Sequence, residues 1–442
     1  MNSSIPFKSI FLATGLSLAT IHAQPAPSPG ANLNKAIGID LITNKSLWED
    51  DVSAVAQRLK LPPESTTTHE KSFRTYPDSS SKLFGARPYS IALYGTDGKP
   101  TRLSIMYLNR GDYGNLGDLY NMLAKESTKG KERSTLEKQL KDTLAAFPPA
   151  FKQEEATLIK NLTIAFGPAK PYRAGSSNSV MKERGLRWDS ADHAILLSVV
   201  DTQYISLKII PSKTVDAPVN KVSDTALKER LRSLVQKRPC GDVVITDIPM
   251  VNQGPKGYCV PATMERMLRF VGIPADMYIL ALAAGSSGAT GTNVDSMMNA
   301  VSRYIELQGR RLQPFQANFK VSYLAPVINN GIPLLWAMNS SDAFNKATSD
   351  QTKQRETAIQ NPAQWKEVLK KLKKEAHKAD RSGDRKAEKA GSTGHVCMII
   401  GYNPITDEIA ISDSWGPDFA ERWITVDQAL AVSQGPMFLI NW

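Results

Sequence analysis

A chain of 442 residues exceeds one ordinary hydrophobic core, so two domains with additions are expected. With 41% hydrophobic and 22% charged residues the composition is globular, and past the N-terminus no apolar run is long enough for stable membrane insertion. The formal net charge of +11 comes without aromatics interleaved among the basic residues, which argues against a nucleic-acid partner.

The N-terminus reads as a targeting segment. Lys8 supplies the positive charge, Ile10 to Ala19 the apolar stretch, and Ile21-His22-Ala23 a cleavage site before Gln24. A signal peptide over 1–23 is expected, and Pro25, Pro27 and Pro29 mark a linker over 24–35. A transmembrane anchor is the competing reading, but the stretch is short. Cys240, Cys259 and Cys397 make no disulfide framework; a Cys240–Cys397 bridge stays open, and the odd cysteine suggests a free, reactive thiol.

Residues 36–238 read as a duplicated helix–hairpin α+β module. The first unit opens on a capping box, Ser46-Leu47-Trp48-Glu49, before a helix with Trp48, Val52, Val55 and Leu59 on one side. Strands over Tyr89 to Tyr94 and Arg102 to Leu108 flank Gly95-Thr96-Asp97-Gly98, a hairpin pattern. A polar helix carrying Leu136, Leu140, Leu144 and Phe147 leads to the second unit. There a helix through Leu158, Ile159, Leu162 and Phe166 precedes strands over Ala194 to Val200 and Tyr204 to Ile210. Ile91 to Leu93 corresponds to Ile195 to Leu197, and Arg102 to Ile105 to Ile205 to Ile209; coincidence between two ordinary units is the alternative. His69 and His193 are solitary and read as surface or structural residues. Lys228 to Arg238 reads as a basic linking helix that ends the unit at Pro239-Cys240-Gly241.

Residues 239–442 are organised differently. A short apolar strand, Val243 to Ile248, leads into a loop at Gln253, and a helix follows Cys259 with Met264, Met267, Leu268 and Val271 on its buried face. Met277 to Ala284 is helical. The glycine-rich run Gly285 to Gly291 lacks the lysine of a phosphate-binding loop. Thr292 is placed to cap a helix with Val294, Met297, Met298 and Val301 inward, and Gly331 to Ala337 introduces a buried strand. Residues 339–393 form a basic insertion with a helix from about Pro362 to Lys378. Ten Lys/Arg stand against five Asp/Glu between Lys366 and Lys389, either a solvated helix face or a surface for an acidic envelope polymer or protein. The insertion is decorative in the plain reading, or a mobile cover over the site. Strands His395 to Gly401, Glu408 to Ser412, Arg422 to Val426 and Met437 to Trp442 close the chain.

Acyl transfer by a thiol needs a thiolate, a base that later protonates the leaving amine, and donors for the oxyanion. Cys259 opens an apolar helix, whose N–H groups favour negative charge. His395 begins an apolar strand after Gly394. Asp413 can accept the imidazole N–H, and Trp415 can shield that bond from water. The Gln253 amide can share the oxyanion with the Cys259 N–H. Singly, each has a bland role: Cys259 a buried hydrophobe, Gln253 a loop tie, His395 a core residue, Asp413 a turn residue. Cys397, on the His395 strand face, reads as packing.

Together, Gln253-x5-Cys259, Gly394-His395-Val396-Cys397-Met398-Ile399-Ile400-Gly401-Tyr402 and Ser412-Asp413-Ser414-Trp415-Gly416 resemble the three signature blocks of papain-like cysteine peptidases. The lead-in from Val243, Cys259-Val260-Pro261-Ala262 and Gly331-Ile332-Pro333 look most like the bacteriocin-processing (double-glycine) peptidase-like branch. The resemblance covers about residues 241–442. It implies a helix bearing Cys259 packed on an antiparallel sheet bearing His395 and Asp413. By position it also implies Cys259 as nucleophile, His395 as base, Asp413 as imidazole orienter (asparagine in papain) and Gln253 in the oxyanion hole. Val260 stands where that branch usually has glycine.

The expectation is an exported (periplasmic or extracellular) α+β protein that hydrolyses peptide or protein substrates through a Cys-His-Asp triad and an acyl-enzyme. No metal or organic cofactor is implied. Transglutaminase-like acyl transfer and a non-catalytic papain-like binding module stay open, as do inhibitory, substrate-binding and docking roles for the first module.

Overall fold

The computed structural model describes residues 31–442 except 115, 125–127, 176–179, 201, 216–222, 256, 287–290, 317 and 382–392. The expected signal peptide and all but the end of the expected linker lie outside the described residues. That end is helical: α1 (Ala31–Ile37) buries Leu33 and Ile37 in the first core, so the Pro-rich composition stops where packing begins.

Eight antiparallel strands form the first sheet: β1 (Pro63–Thr66), β2 (Glu70–Thr75), β3 (Ser90–Thr96), β4 (Lys99–Asn109), β5 (Lys170–Ala174), β6 (Glu183–Ser190), β7 (His193–Val200) and β8 (Tyr204–Pro211). Their order is β1-β2-β3-β4-β8-β7-β6-β5. The β3–β4 turn places Asp97 at φ 49° and Gly98 at φ 77°, the left-handed pair that matches the twist of a tight hairpin. At the sheet's centre Leu103 lies opposite Ile209 and Ile105 opposite Leu207; Ile91 faces Ile105 on one side as Ile195 faces Ile209 on the other. These residues point into one core, beneath α2 (Val52–Arg58) and α4 (Gly130–Phe166), with α3 (Leu116–Ala124) beside α4.

Four differences from the sequence reading have physical causes. The short turn at Leu47–Glu49 takes the Ser46 cap, and Asp51 caps α2. The polar helix and the helix of the second unit are one, α4, which runs through Pro148 and Pro149. Leu136, Phe147, Phe151, Leu158 and Leu162 keep one buried stripe across the prolines, and that packing outweighs the local break. Strands β1 and β2 were not expected, because their buried residues include Glu64, Ser65, Ser72 and Arg74. Strands β5 and β6 lie at the outer edge and are largely polar.

The second sheet comprises β9 (Val235–Lys237), β10 (Val243–Ile245), β11 (Arg311–Phe315), β12 (Leu334–Ser340), β13 (Thr393–Asn403), β14 (Glu408–Ser412), β15 (Arg422–Thr425) and β16 (Ser433–Asn441). It runs β11-β16-β12-β13-β10-β9, and β14 pairs both β13 and β15. Strand β13 sends Val396, Met398 and Ile400 into one core, which it shares with α6 (Cys259–Phe270) and α8 (Val294–Leu307). Its alternate residues, Cys397 and Ile399, enter another with Trp336 and Ile424. Asn293, one residue beyond Thr292, caps α8. Residues 224–237, expected in the first unit, belong with this sheet. Helix α5 (Asp224–Ser233) buries Leu227 and Leu231 in its core, and β9 pairs β10. Gly331 passes α5 so closely that a Cβ would stand 2.1 Å from the Leu231 carbonyl oxygen.

After α9 (Val321–Ile328) and β12 come the two helices of the insertion, α10 (Asp342–Ala358) and α11 (Pro362–Arg381). Both pack on the body of the domain. Thr348, Gln351 and Arg355 of α10 are buried against β15, and Trp365 and Leu369 of α11 are buried with Ile359. Arg355 donates to both Asp242 oxygens (2.5 and 3.1 Å) and to Glu408 Oε2 (2.9 Å), which also accepts from Trp365 Nε1 (3.0 Å). The short α12 (Val426–Val432) follows β15.

The second face of the first sheet meets α6 and α7 (Met277–Ala283). Met106 and Tyr204 share a core with Val251, Tyr258, Ala262 and Tyr278, and Ser90 Oγ bonds the Tyr278 hydroxyl at 2.8 Å. Among the described residues no helix is long and apolar enough to cross a membrane.

Candidate active site

Cys259 is the first residue of α6, where the first-turn N–H groups have no intrahelical acceptors and favour a thiolate. Pro261 fits this turn because its missing N–H is one of those surplus donors. Val260 is buried in the core behind the helix, so its bulk points into packing.

Strand β13 carries His395 and β14 ends one residue before Asp413; Met398 opposite Ser412 sets that register. His395 Nε2 stands 2.8 Å from Asp413 Oδ1, and because a carboxylate only accepts, Nε2 is the donor. That leaves Nδ1 for the Cys259 thiol, to which the imidazole is hydrogen-bonded. The structure therefore brings Cys259, His395 and Asp413 into one chain of contacts. Trp415 stacks on the imidazole, with ring centroids 4.5 Å apart and planes at 26°.

The electrostatics follow from these contacts. Burial alone would raise the Cys259 thiol, but the bond to His395, its charge and the backbone amides of Val396 and Val260 bring it below its ordinary value. Burial would lower His395; bonding to Asp413 and to Cys259 outweighs this and raises it to about 9. Asp413 is fully buried, yet its bond to His395 and the charge of Arg422 keep it below the usual carboxylate range.

Arg422 and Arg266 were not singled out in the sequence. Arg422 grips Asp413 Oδ2 with Nε (3.0 Å) and Nη2 (2.7 Å), lies over the Trp415 ring, and reaches Asn345 and Ser349 of α10. Arg266, on α6, donates to Pro249 O (2.9 Å) and Ser412 Oγ (2.5 Å) and reaches Ser414 Oγ (3.3 Å). Thr263 Oγ1 donates to Val396 O (3.1 Å). Helix α6 is thus tied to the segments that carry His395 and Asp413. No local motif announces either arginine; strand register brings in Arg422, and the packing of α6 on the Ser412 segment brings in Arg266.

Gln253 is nearly buried, and its N–H donates to Ser414 O at 2.8 Å, which sets its loop beside the Asp413 segment. A cavity of about 770 Å³ lies on the first domain, lined by Tyr76, Tyr89 and Tyr113 among others, with Pro255 its one lining residue from this loop. Cys397 is fully buried, its Sγ donating to Met338 Sδ (3.8 Å); all three cysteines are free, so the open bridge is not formed. His69 is exposed beside Asp97, and His193 is buried against Trp48. Among the described residues no cluster of three His, Cys, Asp or Glu side chains could hold a metal ion.

Residues 245–434 match the model of the Peptidase_C39 like family, which supports a cysteine peptidase domain there. No curated protein matches the chain. Among solved structures, the chain is similar to xylellain, a cysteine protease from Xylella fastidiosa. The identity is 8%, over 48% of this chain and 88% of that one, with a TM-score of 0.30.

Proposed function

We propose that the chain is an exported cysteine peptidase that hydrolyses peptide bonds through Cys259, His395 and Asp413. The observation that supports this most is the continuous Cys259–His395–Asp413 contact, with the thiol lowered and the imidazole raised. Near neutral pH the pair rests as thiolate and imidazolium. Sγ attacks the scissile carbonyl carbon, the C–S bond forms, and the Cys259 N–H and Gln253 amide hold the oxyanion. The carbonyl re-forms as the C–N bond breaks, and His395 gives its proton to the departing amine. Water, deprotonated by His395, then attacks the thioester; the acid leaves and the thiolate returns. Asp413 keeps the imidazole in the needed tautomer, and Trp415 shields that bond.

In this reading residues 1–23 direct export, and residues from 36 to the start of α5 are a duplicated module. The matching registers Ile91–Ile105 and Ile195–Ile209 on either side of the central β4–β8 pair favour duplication. The basic insertion offers a face to an acidic envelope partner. The Cys259-Val260-Pro261-Ala262 and Gly331-Ile332-Pro333 stretches favour the double-glycine branch among papain-like enzymes.

Turnover of a quenched fluorogenic peptide mixture by the full mature chain, alongside Cys259→Ala, tests the function. Hydrolysis lost in the variant is expected. Amide product formed with an added primary amine would point to acyl transfer instead. No turnover and no reaction of Cys259 with an electrophile would leave a binding module.

A further inference from the structure

The loop that carries Gln253 is held largely by the other domain. Met250 N–H donates to Ser65 Oγ (2.9 Å) and Asn252 N–H to Glu64 Oε1 (2.8 Å), while the Tyr76 hydroxyl donates to Asn252 O (2.7 Å). Just upstream, Thr68 N–H donates to Asp247 Oδ1 (2.8 Å). Strands β1 and β2, with the residues that flank them, thus line up along residues 247–252.

The anchor is stiff. Glu64 is 2% exposed and is fixed by Arg74 Nε (2.5 Å) and Ser72 Oγ (2.9 Å), and Arg74 in turn donates to the Tyr94 hydroxyl (2.8 Å). A buried carboxylate so enclosed moves only if several bonds break together. Contact at the next residue is equally close. Gly254 has φ +75°, and a Cβ there would stand 2.4 Å from Tyr76 Cζ. Tyr76 meets Tyr89 edge-on at 5.6 Å, Tyr89 meets Tyr278 at 6.4 Å, and Tyr278 meets Tyr258, the neighbour of Cys259, at 5.9 Å. Both ends of the stretch from Gln253 to Cys259 therefore rest on the first domain or on residues packed against it.

We propose that the first domain is an intramolecular positioning element for the oxyanion loop. Glu64, Ser65 and Tyr76 set where the Gln253 amide stands relative to Cys259. This rests on the peptidase reading and gives the first domain a role opposite to inhibition: turnover needs it. Bonds to the loop do not touch the Cys259–His395 pair, so they govern oxyanion stabilisation without governing thiolate formation.

That separation defines the test. In the full mature chain, Tyr76→Phe deletes one hydroxyl, and Gly254→Ala forces the loop off the tyrosine ring. Hydrolysis of the fluorogenic peptide mixture is read beside the rate at which iodoacetamide alkylates Cys259, a reaction that needs the thiolate and no oxyanion hole. The expected fall in kcat/KM is about tenfold for Tyr76→Phe and on the order of a hundredfold for Gly254→Ala, with alkylation unchanged within about twofold. Unchanged turnover in both variants overturns the proposal, as does a parallel fall of turnover and alkylation. Amide hydrogen exchange gives a readout that needs no substrate. Met250 and Asn252 should exchange faster in Ser65→Ala and Tyr76→Phe than in the wild type, and equal exchange overturns the positioning claim even if the chain hydrolyses nothing. Faster exchange in a chain without turnover would retain the anchoring of the loop and sink the peptidase reading alone.

Discussion

Arg422→Met is the sharpest probe of how the candidate site is supported. In the Asp413–Arg422 pair the carboxylate side chain is 0% exposed and the guanidinium 3%, so both charges have left water. Methionine keeps much of the stem and deletes the bonds at 3.0 and 2.7 Å, together with the contacts to Asn345 and Ser349. A buried charge stripped of its partner costs about 3–5 kcal/mol. Denaturant unfolding at neutral pH should show that loss in the transition of the C-terminal domain, if the two domains melt separately. Adding Asp413→Asn removes the orphaned charge and leaves an amide oxygen to accept from His395, so the double variant should recover at least about half of the loss. A single variant that loses less than about 1 kcal/mol, or a double variant weaker still, would refute this reasoning. Activity adds a second sign. Loss of the Arg422 charge strengthens the hold of both His395 and Cys259 on their protons, so both limbs of the pH–rate profile should move to higher pH.

The Cys259–His395 pair also makes a prediction about stability against pH. His395, raised from 6.5 to about 9, contributes stability that is complete below pH 6.5 and lost as pH rises through about 9. Cys259, lowered from 9.0, contributes stability that is present above 9.0 and lost as pH falls towards its folded value. Between 6.5 and 9.0 the two oppose each other, the His395 contribution falling with pH while that of Cys259 grows; calorimetry should find a shallower dependence there in the wild type than in Cys259→Ser, where stability falls with pH. A difference between the two proteins that does not change with pH over that window would contradict the ion pair. Trp365, 1% exposed and bonded to Glu408, should lose about 3–5 kcal/mol on conversion to alanine, measured by the same unfolding assay. A loss under about 1 kcal/mol would return the insertion to ornament.

Residues whose chemistry is written in contiguous stretches were readable before any coordinates. Cys259 opens a helix with an obvious apolar face, His395 begins a strand of apolar residues, and Asp413 and Trp415 are two apart; it was these patterns together with the resemblance of their three stretches to papain-like blocks that joined them. Arg422 and Arg266 were not readable, because their roles depend on strand register and on which face of α6 meets the Ser412 segment. Glu64 and Tyr76 were less readable still. They act across 188 and 176 residues of chain, and a buried charge network gives strands without the apolar alternation that marks a strand. Continuity of α4 through Pro148 and Pro149 shows the same limit from the other side, since a local breaker was overruled by five buried residues on one stripe.

Alkylation of Cys259 by iodoacetamide across pH, in the wild type and in His395→Ala, reaches the central claim most directly. A thiolate held by His395 should react in the wild type about as fast near pH 6 as near pH 8. The variant should gain reactivity only as pH approaches the ordinary thiol value of 9.0. A wild-type profile that climbs along with that of the variant would contradict a paired thiolate and, with it, the peptidase chemistry built on Cys259.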